Sequence, residues 1–461
     1  MKNTFRGTIM NIKKLLAAIA AMTLLTSCGG KDDSDSKKEE STTVQTTTQA
    51  ETTTQADTTE NADTNDYVEL SRQIAEDFVG GDIKCISDLL SANAKEQLSD
   101  EMLTQGLEQI ISQSGKLKEI LDTKSEKQMG MTVTTTRMCF EKGDLDFMLA
   151  FNKDGELEGV MFQPAQDENI EPQETDTYKE TSVKVGDHEL DGMLTMPKNT
   201  EKPPVVILIQ GSGQHNMNEG SGETATFNEL AHSLAAKGIA TIRYNKRFFQ
   251  FPELAGDNNY TIDEEVLEDA DSAVKLAKSY ADKDEVGNIF VLGHSLGGCL
   301  APVIAQRNSD VNGIIAYAGT PRDLVEVIID QLSAQLEEAE GDAQKKQLQE
   351  ELEKAAKMNE GSDKSVTLLG WGYDYFYSLK DLKIGETAKS LDIPMLFVQG
   401  KDDIQVYADK DFPLWEELLK DKAGCSFKLY DGLGHFFNDE DGHINSKVID
   451  DTAEFVLNNS K

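Results

Sequence analysis

The chain has 461 residues, with 83 Asp and Glu against 45 Lys and Arg, and a formal net charge of −38. The length allows two domains and additional segments. The acid excess argues against nucleic acid as a partner, because phosphate binding needs basic patches. It favours a solvated, soluble surface instead.

Lys13 and Lys14 precede an apolar run from Leu15 to Leu25. At about 1.5 Å per residue that run is too short to span a bilayer. A charged segment before a short apolar one reads as a signal peptide over residues 1–27. Leu25-Thr26-Ser27-Cys28 follows and resembles the bacterial lipobox. The resemblance implies that Cys28 is lipidated and becomes the new N-terminus. Several acyl chains would then hold the protein at the extracellular face of the bacterial cell membrane.

Residues 28–65 read as a disordered tether. Thr-Thr-Thr-Gln-Ala occurs at 46–50 and again at 52–56, among acidic residues. Large apolar side chains are almost absent, so no core can form. A flexible chain of that length reaches roughly 35 Å.

Residues 66–165 are expected to form a small α+β domain. Tyr67, Leu70, Ile74 and Phe78 recur at helical spacing, and Leu98, Met102, Leu107 and Ile111 suggest a second helix. Alternating segments at 131–140 and 145–151 read as strands, and Asp154-Gly155 as a hairpin turn. Helices followed by an antiparallel sheet resemble the nuclear-transport-factor-like or cystatin-like domains found ahead of some secreted bacterial hydrolases. No motif here carries chemistry. The domain reads as a packing or docking module, or as a peptide or glycan binder, and its partner is not identifiable.

Residues 176–461 alternate apolar runs with helical patterns. A lead-in antiparallel pair is expected at Thr181–Val185 and Leu190–Met196. Strands follow at Val205–Ile209, Ile239–Tyr244, Asn288–Leu292, Gly313–Ala318, Met395–Val398 and Ser426–Tyr430. Helices are expected at 227–237, 266–280, 296–306, 411–420 and 446–457. Continuous Val, Ile and Leu runs imply strands covered on both faces, as in a mostly parallel α/β sheet. The interval 321–390 breaks the rhythm. Leu324, Ile328, Leu332 and Leu336 form one stripe there, so it reads as a helical lid over the carboxyl ends of the strands, where such sheets bind ligands.

Gly293-His294-Ser295-Leu296-Gly297 begins where a strand ends and leads into an apolar helix. That is the context of a nucleophile elbow, which presents Ser295 at a helix N-terminus. A hydroxyl is a weak nucleophile and needs an adjacent base. Of six histidines, His435 follows the last strand. His294 belongs to the elbow, and His188, His215, His232 and His443 lie in the wrong segments. The imidazole needs an acid to orient it, and Asp402 and Asp403 both follow Met395–Val398.

Gln399-Gly400-Lys401-Asp402-Asp403-Ile404-Gln405-Val406 resembles a block in bacterial α/β-hydrolases, serine esterases near the dienelactone-hydrolase and prolyl-oligopeptidase branches. The resemblance extends through most of residues 200–440. It includes Gly211-Ser212-Gly213, Arg243-Tyr244-Asn245-Lys246-Arg247, Thr261-Ile262-Asp263-Glu264, Ala318-Gly319-Thr320-Pro321-Arg322, Ile393-Pro394 and the block around His435. It implies an α/β-hydrolase fold and places the acid on Asp403 ahead of Asp402. Two departures stand out: Asn245 where relatives usually have Asp, and Asn216-Met217 where they often have Asp and Arg.

The oxyanion of acyl transfer needs two fixed N–H donors. The backbone N–H of Leu296 and that of Ser212, in the glycine loop, are the candidates. Arg243, Lys246 and Arg247 could steer an anionic substrate, or pair with Asp263, Glu264 or Glu265. Trp371, Tyr373, Tyr375, Phe376 and Tyr377 could line a pocket or pack the lid. Cys85, Cys139, Cys299 and Cys425 form no metal motif and read as small apolar fillers. No metal or cofactor is implied. The resemblance implies a hydrolase of carboxylic esters with short acyl groups, such as acetyl groups on carbohydrates or small molecules. A peptidase or amidase, and a non-catalytic surface-binding lipoprotein, are the alternatives.

Overall fold

The computed structural model describes residues 61–95, 98–128, 131–141, 143–165, 170–219, 225–255, 260–339, 342–439 and 442–460. The expected signal peptide, Cys28 and most of the expected tether lie outside the described residues. The chain divides into two compact units, with the boundary between Gln163 and Pro164.

The first unit opens with helix α1 (Asn61–Val79), which begins inside the stretch assigned to the tether. Ile74 and Phe78 are buried, but Leu70 is 38% exposed. Helix α2 (Asp100–Ser114) starts where Ser99 Oγ accepts the Met102 N–H, an N-cap that satisfies one orphan donor. It buries Leu103 and Leu107 and leaves Ile111 largely exposed. The buried stripe thus includes Leu103 in place of Met102 and excludes Ile111, because packing on the sheet selects the face. Strands β1 (Leu117–Gln128), β2 (Met131–Phe140), β3 (Gly143–Phe151) and β4 (Leu157–Pro164) form one sheet in that order. The β1–β2 and β2–β3 pairs are antiparallel. The sequence reading missed β1. It is an edge strand rich in Lys and Glu, so it lacks the apolar alternation that signals a strand. Phe78, Phe147 and Phe162 stack between α1 and the sheet.

The second unit is an α/β-hydrolase fold. Its sheet contains β5 (Tyr178–Val185), β6 (Leu190–Pro197), β7 (Val205–Ile209), β8 (Ala240–Tyr244), β9 (Ile289–His294), β10 (Val311–Tyr317), β11 (Met395–Gly400) and β12 (Cys425–Tyr430). The order is β12-β11-β10-β9-β7-β8-β6-β5. β6 is antiparallel to both neighbours, and every pair from β8 to β12 is parallel. β7, β8 and β9 are buried at every residue, which explains their unbroken apolar runs. Alternate residues serve opposite faces. Val206, Leu208, Phe290 and Leu292 pack with helices α3 (Thr226–Ala236) and α11 (Ser446–Asn458). The other face receives α4 (Glu268–Ala281) and α5 (Leu296–Arg307), and α10 (Phe412–Leu419) lies between β11 and β12.

Between β10 and β11 stand α6 (Leu324–Glu338), α7 (Asp342–Glu360), α8 (Tyr373–Asp381) and α9 (Ile384–Ser390). α9 packs against α5 and so joins the helical layer of the sheet. The inserted helices therefore end with α8, earlier than expected. Three bonds tie the insertion to loops that leave the sheet. Trp371 Nε1 donates to Tyr260 Oη at 2.7 Å, the Ile262 N–H donates to Ser378 Oγ at 3.1 Å, and Gln331 Nε2 donates to Gln405 O at 2.8 Å.

Candidate active site

β9 ends at His294, and α5 begins at Leu296. Ser295 between them has φ 53° and ψ −116°, a left-handed conformation costly for a residue with a Cβ. Its neighbours must be glycine. A Cβ on Gly293 would lie 2.0 Å from Gly297 O, and one on Gly297 would lie 2.2 Å from Ile209 O. The turn is that tight. It leaves Ser295 partly exposed between fully buried flanks. The Ser295 N–H donates to Tyr317 O at 2.8 Å, which fixes the turn to β10.

The loop after β11 holds both candidate acids. Asp403 is 3% exposed, and Asp402 is exposed. His435 Nδ1 lies 2.8 Å from Asp403 Oδ2. Gln399 Nε2 donates to the same oxygen at 2.8 Å, and the N–H groups of Gln405 and Val406 donate to Oδ1 at 2.8 and 3.0 Å. Burial opposes the charged carboxylate, but His435 and the two backbone donors outweigh it, so the Asp403 pKa is lowered. The structure thus brings Asp403, and not Asp402, to His435.

The loop after β7 approaches the elbow from the other side. A Cβ on Gly211 would sit 3.2 Å from Ser295 Cβ, so the Gly211 backbone lies against the Ser295 turn. The Gly211 N–H donates to Glu219 Oε1 at 2.6 Å, and Lys246 Nζ donates to Gly211 O at 2.9 Å. Ser212 O is 2.7 Å from His215 Nε2, and the carbonyl can only accept. Burial lowers the His215 pKa.

His294 links the loops. Its Nδ1 is 3.1 Å from Glu219 Oε1 and its Nε2 is 3.0 Å from His435 O. Both ring nitrogens face acceptors, so both bonds form only when the ring is doubly protonated. Burial disfavours that charge, but the Glu219 carboxylate outweighs it and raises the His294 pKa. Burial likewise penalises Glu219, and His294 more than compensates, so its pKa is lowered.

The cluster Arg243, Lys246 and Arg247 is buried and paired rather than offered to a substrate. Arg243 meets Glu180, Lys246 meets Glu265, and Arg247 meets Glu268 and Asp269. The departures at Asn245 and Asn216 also brace the loop. Asn245 Oδ1 accepts the Met217 N–H at 2.8 Å, and Asn216 Oδ1 accepts the Asn218 N–H at 2.9 Å. In the lid, Tyr375 and Phe376 are buried, Trp371 stacks on Tyr375, and Tyr377 is exposed, so this aromatic cluster is chiefly packing. His232 is held by Glu180 and His443 by Glu229, away from the elbow. Of the cysteines, Cys299 is buried and its pKa is pushed up to about 12 by burial, whereas Cys85, Cys139 and Cys425 are only half-buried. Glu219 and Gln399 escaped the sequence reading. Gln399 stood inside a block already singled out; Glu219 carried no signal beyond its acidity.

Residues 205–441, just over half the chain, match the family described as "Serine aminopeptidase, S33". Residues 71–160 match a family described as "Protein of unknown function (DUF3887)". The chain is 30% identical over 384 residues to "Esterase EstD" of Thermotoga maritima, covering 80% of this chain and 90% of the relative. Among solved structures, Est1E from Butyrivibrio proteoclasticus overlaps 60% of this chain and 98% of its own at 18% identity, TM-score 0.39. A dienelactone hydrolase from Anabaena variabilis overlaps 63% and 100% at 16% identity, TM-score 0.40. With an elbow at Ser295 and a family match running from β7 through β12 and the loops that follow β11 and β12, the chain belongs to the serine α/β-hydrolase family described as serine aminopeptidase S33.

Proposed function

We propose that this protein hydrolyses short-chain carboxylic esters of small molecules, with Ser295 as nucleophile, His435 as base and Asp403 as its orienting acid. The carrying observation is the bond from His435 Nδ1 to Asp403 Oδ2 at 2.8 Å, in the chain order nucleophile, acid, base. Asp403 keeps Nδ1 protonated, so Nε2 is the nitrogen free to take the Ser295 proton. Ser295 Oγ then bonds to the acyl carbon. The alkoxide leaves with the proton that His435 has taken, and an acyl-enzyme remains. Water, deprotonated by His435, attacks that acyl carbon, and Ser295 regains its proton as the acid departs. The backbone N–H groups of Leu296 and Ser212 would receive the oxyanion in both halves. The name of the Thermotoga relative favours an ester over an amide. Ser295→Ala should lower p-nitrophenyl acetate turnover roughly 10⁶-fold with the fold intact; retained activity refutes the assignment.

The family description favours a second reading, cleavage of a peptide bond by the same groups. Turnover of an aminoacyl-p-nitroanilide above that of p-nitrophenyl acetate would select it. We also propose that the enzyme is anchored by lipid on Cys28, outside the cell. Lys13 and Lys14, the apolar run and Leu25–Cys28 support this by their order. Cys28→Ala should move the protein from the membrane to the soluble fraction, and persistent membrane retention excludes the anchor.

A further inference from the structure

Glu219 is buried at 6% exposure, in a loop where nothing covalent requires an acid, and its backbone sits at φ 51°. A non-glycine residue at such an angle is held there by its surroundings. Its Oε1 takes the Gly211 N–H and also faces His294 Nδ1. Its Oε2 is buried with no hydrogen bond among the described residues. The carboxylate thus has two duties, one toward each side of the nucleophile.

On one side is the Gly211-Ser212 peptide. Its carbonyl receives Lys246 Nζ, itself 2.5 Å from Glu265 Oε1. A trans peptide directs its N–H opposite to its C=O. Holding Gly211 O toward Lys246 therefore turns the Ser212 N–H away from Lys246. Glu219 holds the preceding peptide by the Gly211 N–H, so two successive peptide planes are clamped by two buried charges. On the other side, His294 reaches His435 O at 3.0 Å, the backbone of the loop carrying the base. The His294 and His435 rings lie 4.8 Å apart between centroids.

We infer that Glu219 is a positioning residue that, with Lys246, fixes the Ser212 N–H as an oxyanion donor and, through His294, ties that donor to the His435 loop. The inference rests on the assignment of Ser295 as nucleophile. Glu219 touches no reacting atom. Its contribution is realised when charge develops on the carbonyl oxygen, so it should act on the transition state more than on bound substrate.

The test uses the full chain, p-nitrophenyl acetate and an aryl trifluoromethyl ketone. Ser295 Oγ adds to that ketone and leaves an alkoxide in the position of the oxyanion. Glu219→Gln keeps an acceptor for Gly211 but removes the counter-ion of His294, and kcat should fall about tenfold. Glu219→Ala removes both duties, and kcat should fall by about 10²–10³, the range for loss of one oxyanion donor. In both, KM should change less than threefold, and the ketone Ki should weaken in proportion to kcat. Because Glu219→Ala could unfold, Lys246→Met/Glu265→Gln provides a second route. It frees Gly211 O without leaving a lone buried charge, and it should give the same coupled loss of kcat and ketone affinity. Kinetics of Ser295→Ala are measured alongside. If Ser295→Ala is inactive while the Glu219 and Lys246/Glu265 variants, folded by thermal melting, keep kcat and ketone Ki within threefold of wild type, the positioning role is overturned. If Ser295→Ala is active, the nucleophile assignment fails first. Loss of kcat with unchanged ketone Ki also overturns it.

Discussion

The two sides of the elbow are held by different physics. On the acid side, Asp403 sits among neutral donors: Gln399 Nε2 and the N–H groups of Gln405 and Val406. On the oxyanion side, the Gly211 loop is gripped by charges, Glu219 with His294 and Lys246 with Glu265. The difference follows from what each side must do. In the proposed reaction the charge on Asp403 responds to a His435 that gains and loses a proton, and neutral dipoles hold a carboxylate without cancelling it. The Gly211 loop, as the proposed oxyanion donor, has only to stay still, and a desolvated ion pair that would be left unpaired by movement resists displacement strongly.

The sharpest way to break this contrast is at Asp403. Asp403→Asn keeps the shape but can present an amide to Nδ1, so His435 loses its working tautomer. Turnover should fall about 10⁴-fold in steady-state kinetics, while Asp402→Asn, at an exposed side chain with no bond to the imidazole among the described residues, should stay within threefold. The reverse ranking would move the acid. The same variant tests the electrostatics. The folded Asp403 pKa is lowered, so its ionisation stabilises the protein above the ordinary carboxylate pKa and that contribution is lost as pH falls through the folded value. The urea stability of Asp403→Asn should therefore decline less steeply than wild type between about pH 5 and pH 3. An identical slope would mean that Asp403 is not held as the anion.

Much of the acid side was legible in the sequence, and little of the oxyanion side was. Gly293-His294-Ser295-Leu296-Gly297 declares itself because local sterics demand glycine at both flanks. Asp403 and His435 follow from chain order and the block around Gln399, since each sits just past a strand end. The buried strands were readable from unbroken apolar runs. The pairing of Lys246 with Glu265 was one of the two readings open for the basic stretch, but the contacts of Glu219 and Lys246 with Gly211, 8 and 35 residues away, carry no periodicity that records them. Arg243-Tyr244-Asn245-Lys246-Arg247 was visible as a charged stretch, but whether it faced solvent or buried acids depended on where β5 and α4 would pack. β1 escaped for the converse reason: an edge strand with charged side chains imitates a loop.

A finer test lies within the acid side itself. Gln399, the last residue but one of β11, is 1% exposed and donates to Asp403 Oδ2, the oxygen that also receives His435 Nδ1. Gln399→Leu removes that donor at nearly constant volume, although Val406 O also loses a bond at 3.1 Å. Two backbone N–H groups remain on Oδ1, so the carboxylate stays in place and turnover should fall only about tenfold, as expected for the loss of one hydrogen bond of about 1.4 kcal/mol. With one donor fewer, the carboxylate becomes more basic and stabilises the imidazolium of His435 more. The acid limb of kcat/KM should accordingly shift upward, by about half a pH unit. That shift separates the two designs. In that design neutral dipoles around Asp403 tune the base, so their removal should move a pH profile, whereas loosening the charged clamp at Glu219 should lower kcat and the ketone affinity together. If Gln399→Leu lowers turnover without moving the limb, the neutral shell around Asp403 is a brace like the other side, and the contrast between the two sides disappears.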